Sequence, residues 1–301
     1  MDVTADYLAL RREVGAVEVP RDVVVASGPD TETFLQGQLS QDVTALAVGA
    51  SAPSLLLSPQ GKLVVWLRVS RPAPDVMALD TDAGWGDALV ARLERFKLRT
   101  RCDLERRADW RCVALRGPRV ADLDLHATGA VVVADGGWGV VEGRDLLGPD
   151  VIVPAGVRRC GFDAYQNVRI ECGVPVMGAE LDEGTIPAEA GIVEPSVSWT
   201  KGCYTGQELV ARIDSRGTNV PRRLRGVVLG TNVLPPPGAT LHTLTGDGAE
   251  VGRLTSVGES LDLRAPVALA YVRRGVEPPA DVTVRWPGGE APARVLELPL
   301  V

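Results

Sequence analysis

From Leu224 onward the chain breaks into short apolar-rich runs separated by turn signals, and this pattern constrains the fold more than any other feature of the sequence. The runs cover 224–229, 240–245, 249–257, 266–273, 281–286 and 292–298. Between them lie Pro235-Pro236-Pro237-Gly238, Gly246-Asp247-Gly248 and Pro287-Gly288-Gly289, the residue types that turns demand. Six strands this closely spaced predict a small antiparallel barrel or sandwich. Pro221 interrupts the helix-bearing region just before them, so two domains are expected, 1–222 and 223–301.

The first domain reads differently. Val23 to Ala26, Val64 to Val69, Cys112 to Leu115, Ala130 to Val133 and Val151 to Val153 have strand character. Helices are expected from about Asp30 to Leu39 and from Asp87 to Phe96, where Leu89, Leu93 and Phe96 share a face. Strands interleaved with helices, followed by an all-β end, define an α+β protein. With 301 residues, 45% hydrophobic and 24% charged, the chain has material for a substantial core.

Composition excludes several classes of function. A net charge of -7 gives no general affinity for nucleic acid, and the basic clusters at Arg92 to Arg107 and Arg222 to Arg225 read as solvated faces. No apolar run approaches the roughly 20 residues of a membrane helix. The amino terminus has no basic-then-apolar leader, so a cytoplasmic location is expected. Five cysteines without a Cys-x-x-Cys pair, and only two histidines, argue against a disulfide framework and against a metal site built by the protein.

A third helix is expected from Asp163 to Cys172, ended by Gly173 and Pro175. It carries Arg169 and Glu171, which lie about 200° apart around a helix axis and so cannot share a target. Read from the residues alone, Glu171 is a helix-terminal carboxylate in solvent. Residues 174–200 form a connection long enough to be functional. It delivers the chain to Lys201-Gly202-Cys203-Tyr204-Thr205-Gly206-Gln207-Glu208, where Thr205 and Glu208 have capping-box spacing and a helix is expected to begin. A cysteine beside a helix start and a lysine has its thiolate favoured, the setting of a nucleophile or a metal-reactive sulfur. A small buried hydrophobe is the alternative for Cys203.

These eight residues resemble the signature of the YgfZ family, folate-binding relatives of the glycine-cleavage T-protein, an aminomethyltransferase. Phe34 to Val43, Gln60-Gly61-Lys62, Glu94 to Arg99, Val168 to Glu171 and Ile186 to Ala190 are similar to further family blocks, whereas 107–154 carries no recognised motif. The resemblance implies a T-protein-like region of interleaved α/β subdomains before the barrel, and tetrahydrofolate or a one-carbon derivative as cofactor. It implies Cys203 and Lys201 as catalytic residues, Lys201 holding negative charge near Cys203, and Glu171, Tyr204 and Gln207 as folate contacts. The 2-amino group and ring N-H of the pterin form a guanidine-like edge that a carboxylate at Glu171 would accept in two parallel hydrogen bonds.

One departure stands out. The family's acid in the strand after the Gly61 turn has no counterpart in Lys62-Leu63-Val64-Val65-Trp66-Leu67, and no carboxylate occurs before Ser70. The group expected to organise proton movement at the folate nitrogen is therefore missing, and a thiol is added. The resemblance then favours an accessory factor for iron-sulfur cluster assembly or repair, with iron-sulfur proteins or the assembly machinery as partners. A folate-dependent aminomethyl or methyl transferase is the alternative.

Overall fold

The structure, a computed structural model, describes residues 2–215, 217, 219–244 and 248–301. Helix α1 (Val3–Arg12) is capped by Asp2, whose Oδ1 accepts from Ala5 N at 3.1 Å, and carries Arg11 and Arg12 at its negative end. Strands β1 (Gly15–Glu18) and β2 (Arg21–Ser27), helix α2 (Thr31–Gln38), strands β3 (Ser51–Leu57), β4 (Leu63–Ala73) and β5 (Val76–Asp82), helix α3 (Gly86–Glu94) and strand β6 (Asp103–Arg106) follow. The first sheet runs β3-β4-β5-β2-β6, antiparallel throughout. Its strand period of two puts Val65, Leu67 and Val69 of β4 on one face, where Leu35 of α2 and Leu89 and Leu93 of α3 seal the core. Trp66 and Arg68 consequently stand on the other face.

Strands β7 (Arg111–Arg116), β8 (Val132–Asp135), β9 (Gly143–Gly148) and β10 (Arg158–Arg159) join β1 in a second sheet, ordered β10-β1-β7-β9-β8. Val151 to Val153, expected as a strand, has no ladder partner: Val151 is buried, Ile152 N is bonded to Thr128 O, and Pro154 ends the run. Helix α4 (Phe162–Cys172) starts one residue before the expected Asp163, with Gly161 as N-cap. It ends at Gly173 in the left-handed region, φ 74°, a geometry glycine adopts freely. Arg92, expected in water, is buried and donates to Leu57 O.

After the long connection, with its short helix α5 (Val193–Ser196), come helix α6 (Gln207–Ser215) and the strands β11 (Arg222–Leu229), β12 (Thr240–Thr243), β13 (Glu250–Ser260), β14 (Ala265–Arg273), β15 (Ala280–Trp286) and β16 (Gly289–Leu296). These six close into an antiparallel barrel, β11-β14-β13-β12-β15-β16, filled by small and branched residues such as Val227, Leu241, Ala268, Ala270, Val284 and Val295. The run expected at 240–245 ends as a strand at Thr243, and Thr245 lies outside the described residues. The α+β class and the terminal barrel are as the turn pattern predicts. Among the described residues no helix is long and apolar enough to cross a membrane.

Candidate functional site

The face of the first sheet left free by α2 and α3, the facing strands of the second sheet, α4 and part of the connection after it enclose a cavity of about 720 Å³. An ionic ladder crosses its floor. Asp82 Oδ1 accepts from Arg21 Nη1 at 2.9 Å, and Arg21 reaches on to Asp80 with Nη2 2.6 Å from Oδ2. Asp80 accepts Arg68 Nε at 3.0 Å, Arg68 donates to Asp145 Oδ2 at 2.7 Å, and Asp145 Oδ1 accepts Arg116 Nη1 at 2.7 Å. Arg116 then donates to the Tyr165 hydroxyl at 3.3 Å.

The arginines and aspartates alternate, so the charges compensate along the row, and the ladder joins β2, β5 and β4 of one sheet to β9 and β7 of the other and to α4. Burial opposes ionisation of Asp145, but Arg116 and Arg68 outweigh it and hold this carboxyl well below the usual range. Cys112 beside them has its thiol pushed up to about 12 by burial, which leaves it unreactive at neutral pH.

Aromatic rings line the second-sheet end. Trp138 meets Tyr165 edge-on at 4.8 Å between centroids, and Phe162 lies 5.8 Å from Tyr165 with planes 19° apart. The Arg116 guanidinium carbon sits 4.5 Å from the Trp138 ring centroid, a cation–π contact. Gly136 lets the β8–β9 turn cross this pair, because a Cβ there would come within 2.7 Å of both Arg116 Nη1 and Asp145 Oδ1.

The connection after α4 is pinned by Glu180, which is fully buried. Its carboxylate accepts from Arg169 Nη1 at 3.1 Å, Val176 N at 3.2 Å, Thr255 Oγ1 at 2.7 Å and Ser256 Oγ at 2.5 Å. Helix α4, the connection and barrel strand β13 are thereby fixed together beside the cavity.

Five residues were expected from the sequence at the site, and none of them is among those lining the cavity. Glu171 and Arg169 diverge as helical geometry requires. Arg169 borders the cavity, while Glu171 is wholly buried on the far side of α4 and accepts from the Tyr7 hydroxyl of α1 at 2.7 Å. Arg11 Nε stands 3.9 Å from its other oxygen. Burial raises the Glu171 pKa against the opposing pull of Tyr7 and Arg11.

Lys201 spends its ammonium on three carbonyls at and beyond the end of α2, those of Gln36, Leu39 and Gln41, at 2.7, 2.6 and 2.9 Å. Its charge therefore serves a helix C-terminus. Burial pulls its pKa down to about 8, with Asp42 opposing. Tyr204 is buried, its ring 5.2 Å from Lys201 Nζ and its hydroxyl pushed up to about 12 by burial. Gln207 Oε1 accepts from Tyr204 N at 3.2 Å, the reach-back half of a capping box one residue ahead of the expected Thr205–Glu208 pair. Cys203 is exposed, whereas the other four cysteines are buried.

The two glycine motifs meet here. A Cβ on Gly206, φ 84°, would sit 2.5 Å from Ser58 O, and one on Gly61, φ 76°, would sit 2.8 Å from Gly206 O, so the Gly61 turn and the segment after Cys203 pack backbone to backbone.

The cavity walls come largely from residues the sequence did not single out, with Arg116, Trp138 and Asp145 in the motif-free span. A signal existed for some. Arg68, Asp80 and Asp82 interrupt otherwise apolar strands, and charges in such positions are rare unless paired.

Residues 222–301 match the family model of the glycine cleavage T-protein C-terminal barrel domain. The aminomethyltransferase of Bordetella petrii is 28% identical to this chain, over 98% of it and 87% of the relative's own length. That of Thermus thermophilus is 29% identical, over 99% and 90%. The crystal structure of glycine cleavage system aminomethyltransferase T from Bartonella henselae shares the fold with a TM-score of 0.82 at 22% identity, covering 99% of this chain and 89% of that one. The chain is thus similar to glycine-cleavage aminomethyltransferases over nearly its whole length, and its carboxyl-terminal barrel matches that of the T-protein.

Proposed function

We propose that the chain binds tetrahydrofolate in the central cavity and transfers a one-carbon unit from an amine to it, the aminomethyl-transfer chemistry for which its relatives are named. The observation that carries this reading is the cavity itself. At about 720 Å³ it lies within the range of small-molecule sites, and its walls combine flat apolar surface at Trp66, Trp138 and Tyr165 with fixed charges. A reduced folate has a flat donor-rich pteridine, an aromatic linker and a carboxylate tail, and the walls offer a counterpart to each part. When bound, the folate supplies the nitrogen that takes up the one-carbon unit. The chain's own residues bind it, orient it and exclude water around it.

Cavity residues held by a closed network of ion pairs do not reorganise as charge shifts, which suits a site that works by positioning. Trp66 and Arg68 stand on β4 near where an acid was expected, so any carboxylate acting on the ligand comes from elsewhere in the wall.

A second reading rests on Cys203. Exposed and two residues after a half-buried lysine, it suits an accessory role towards iron-sulfur proteins of the kind the YgfZ signature suggests. One assay separates the two. The purified protein is incubated with tetrahydrofolate and an aminomethylated donor, and ammonia and methylenetetrahydrofolate are measured for the wild type and Cys203→Ser. Turnover on the order of 1 s⁻¹ or faster, retained in Cys203→Ser, is expected for the transferase. No turnover, together with loss of iron-sulfur enzyme activity in cells carrying Cys203→Ser, supports the accessory factor instead.

A further inference from the structure

We infer that Asp82 is the carboxylate that receives the N-H donor edge of the pteridine, an assignment that rests on the folate reading above. Glu171 is shut away behind α4 with Tyr7. Asp80 and Asp145 each sit between two arginines, and Glu180 accepts four hydrogen bonds. Asp135 also lines the cavity, but its side chain is 78% exposed and turns to Arg144 and the Gly137 amide. Asp82 differs from all of these. It lines the cavity with a side chain 19% exposed, at the end of the ladder. One oxygen accepts Arg21 Nη1 at 2.9 Å and the other accepts Met177 N at 2.8 Å.

A carboxylate has about four acceptor positions, so each Asp82 oxygen keeps one open. Two open acceptors on a planar group match two parallel donors, the 2-amino group and ring N-H of a pterin. Arg21 and the Met177 amide hold the carboxylate in place before the ligand arrives, so little ordering is left for binding to supply.

The opposite end of the ladder sets the direction. Arg116 is 2% exposed, its Nε has no hydrogen-bond partner, and it lines the cavity against Trp138. The electron-rich part of the ligand therefore faces Arg116 while its donor edge faces Asp82. Since Asp82 belongs to β5 and lies beside Trp66 on the cavity face, the acid absent from β4 has a counterpart one strand away.

The test uses calorimetric titration with 5-formyltetrahydrofolate and with its analogue bearing a methyl in place of the 2-amino group. Wild type should bind the analogue about tenfold more weakly, the worth of a hydrogen bond to a charged acceptor. Asp82→Asn should bind the parent about tenfold more weakly and lose no more than about twofold further with the analogue. Asp82→Glu, which keeps a charge for Arg21, should show the same loss in milder form, and Glu171→Gln should bind as wild type. Wild-type binding indifferent to the 2-amino group, or parent binding unchanged in both Asp82 variants, overturns the assignment and leaves the folate reading standing. A wild type that binds neither ligand overturns the folate reading and the assignment with it.

Discussion

Glu171 shows how far one side chain's role depends on partners remote in sequence. Its Oε1 is bonded to Tyr7, 164 residues away, and burial raises its pKa above the ordinary 4.5. The folded state thus holds this proton more tightly than the unfolded chain. Its contribution to stability is complete below the unfolded pKa and is lost as pH rises through the raised folded value. Glu171→Gln, which keeps an acceptor for Tyr7 without the charge, should melt at or above the wild-type temperature at neutral pH and remove this part of the pH dependence. A variant that melts well below wild type at pH 7 contradicts a structural, charge-burdened Glu171. The sequence shows that position 171 cannot share a target with position 169, because helix geometry is local; it does not show which of the two borders the cavity. Lys201 carries the same lesson, since the carbonyls it caps belong to residues 36, 39 and 41.

Helix α4 is the element that holds the site together. Its first turn brings Phe162 and Tyr165 to the aromatic end of the cavity, and Arg169 ties it to Glu180 and to Ser256 of β13 at 2.8 Å. Removing one partner of a buried pair strands the other, at about 3–5 kcal/mol. Arg169→Met should lower stability in urea by that amount and speed hydrogen exchange in 174–181, where Glu180 would lose its counter-ion. Unchanged stability would show that the connection is held by its other contacts. Both ends of α4 were legible to within a residue, because Gly173 ends it and apolar periodicity marks its length. Glu180 was not singled out, because its four partners lie on three separate elements. Val151 to Val153 shows the converse. Its residues favour a strand, but Ile152 N is spent on Thr128 O and no ladder forms there among the described residues.

At the scale of the molecule, the barrel was legible because its determinants are local: turn residues at short intervals and apolar strands between them. The cavity was not. Its ladder draws on positions 21, 68, 80, 82, 116 and 145, which come together only when two sheets face each other. Four of the five residues expected at the site lie on one segment outside the cavity wall, in which Lys201, Tyr204 and Gln207 fasten the chain around α2 and α6 while Cys203 stays exposed, and the fifth, Glu171, is buried against Tyr7 of α1. The central claim is that the ligand site is the space between the sheets, and a crystal structure of the protein with 5-formyltetrahydrofolate tests it most directly. Pteridine density between Trp66 and the ladder, its donor edge on Asp82, is the predicted result. Density in the barrel or beside Cys203, with that space left to water, would contradict the account.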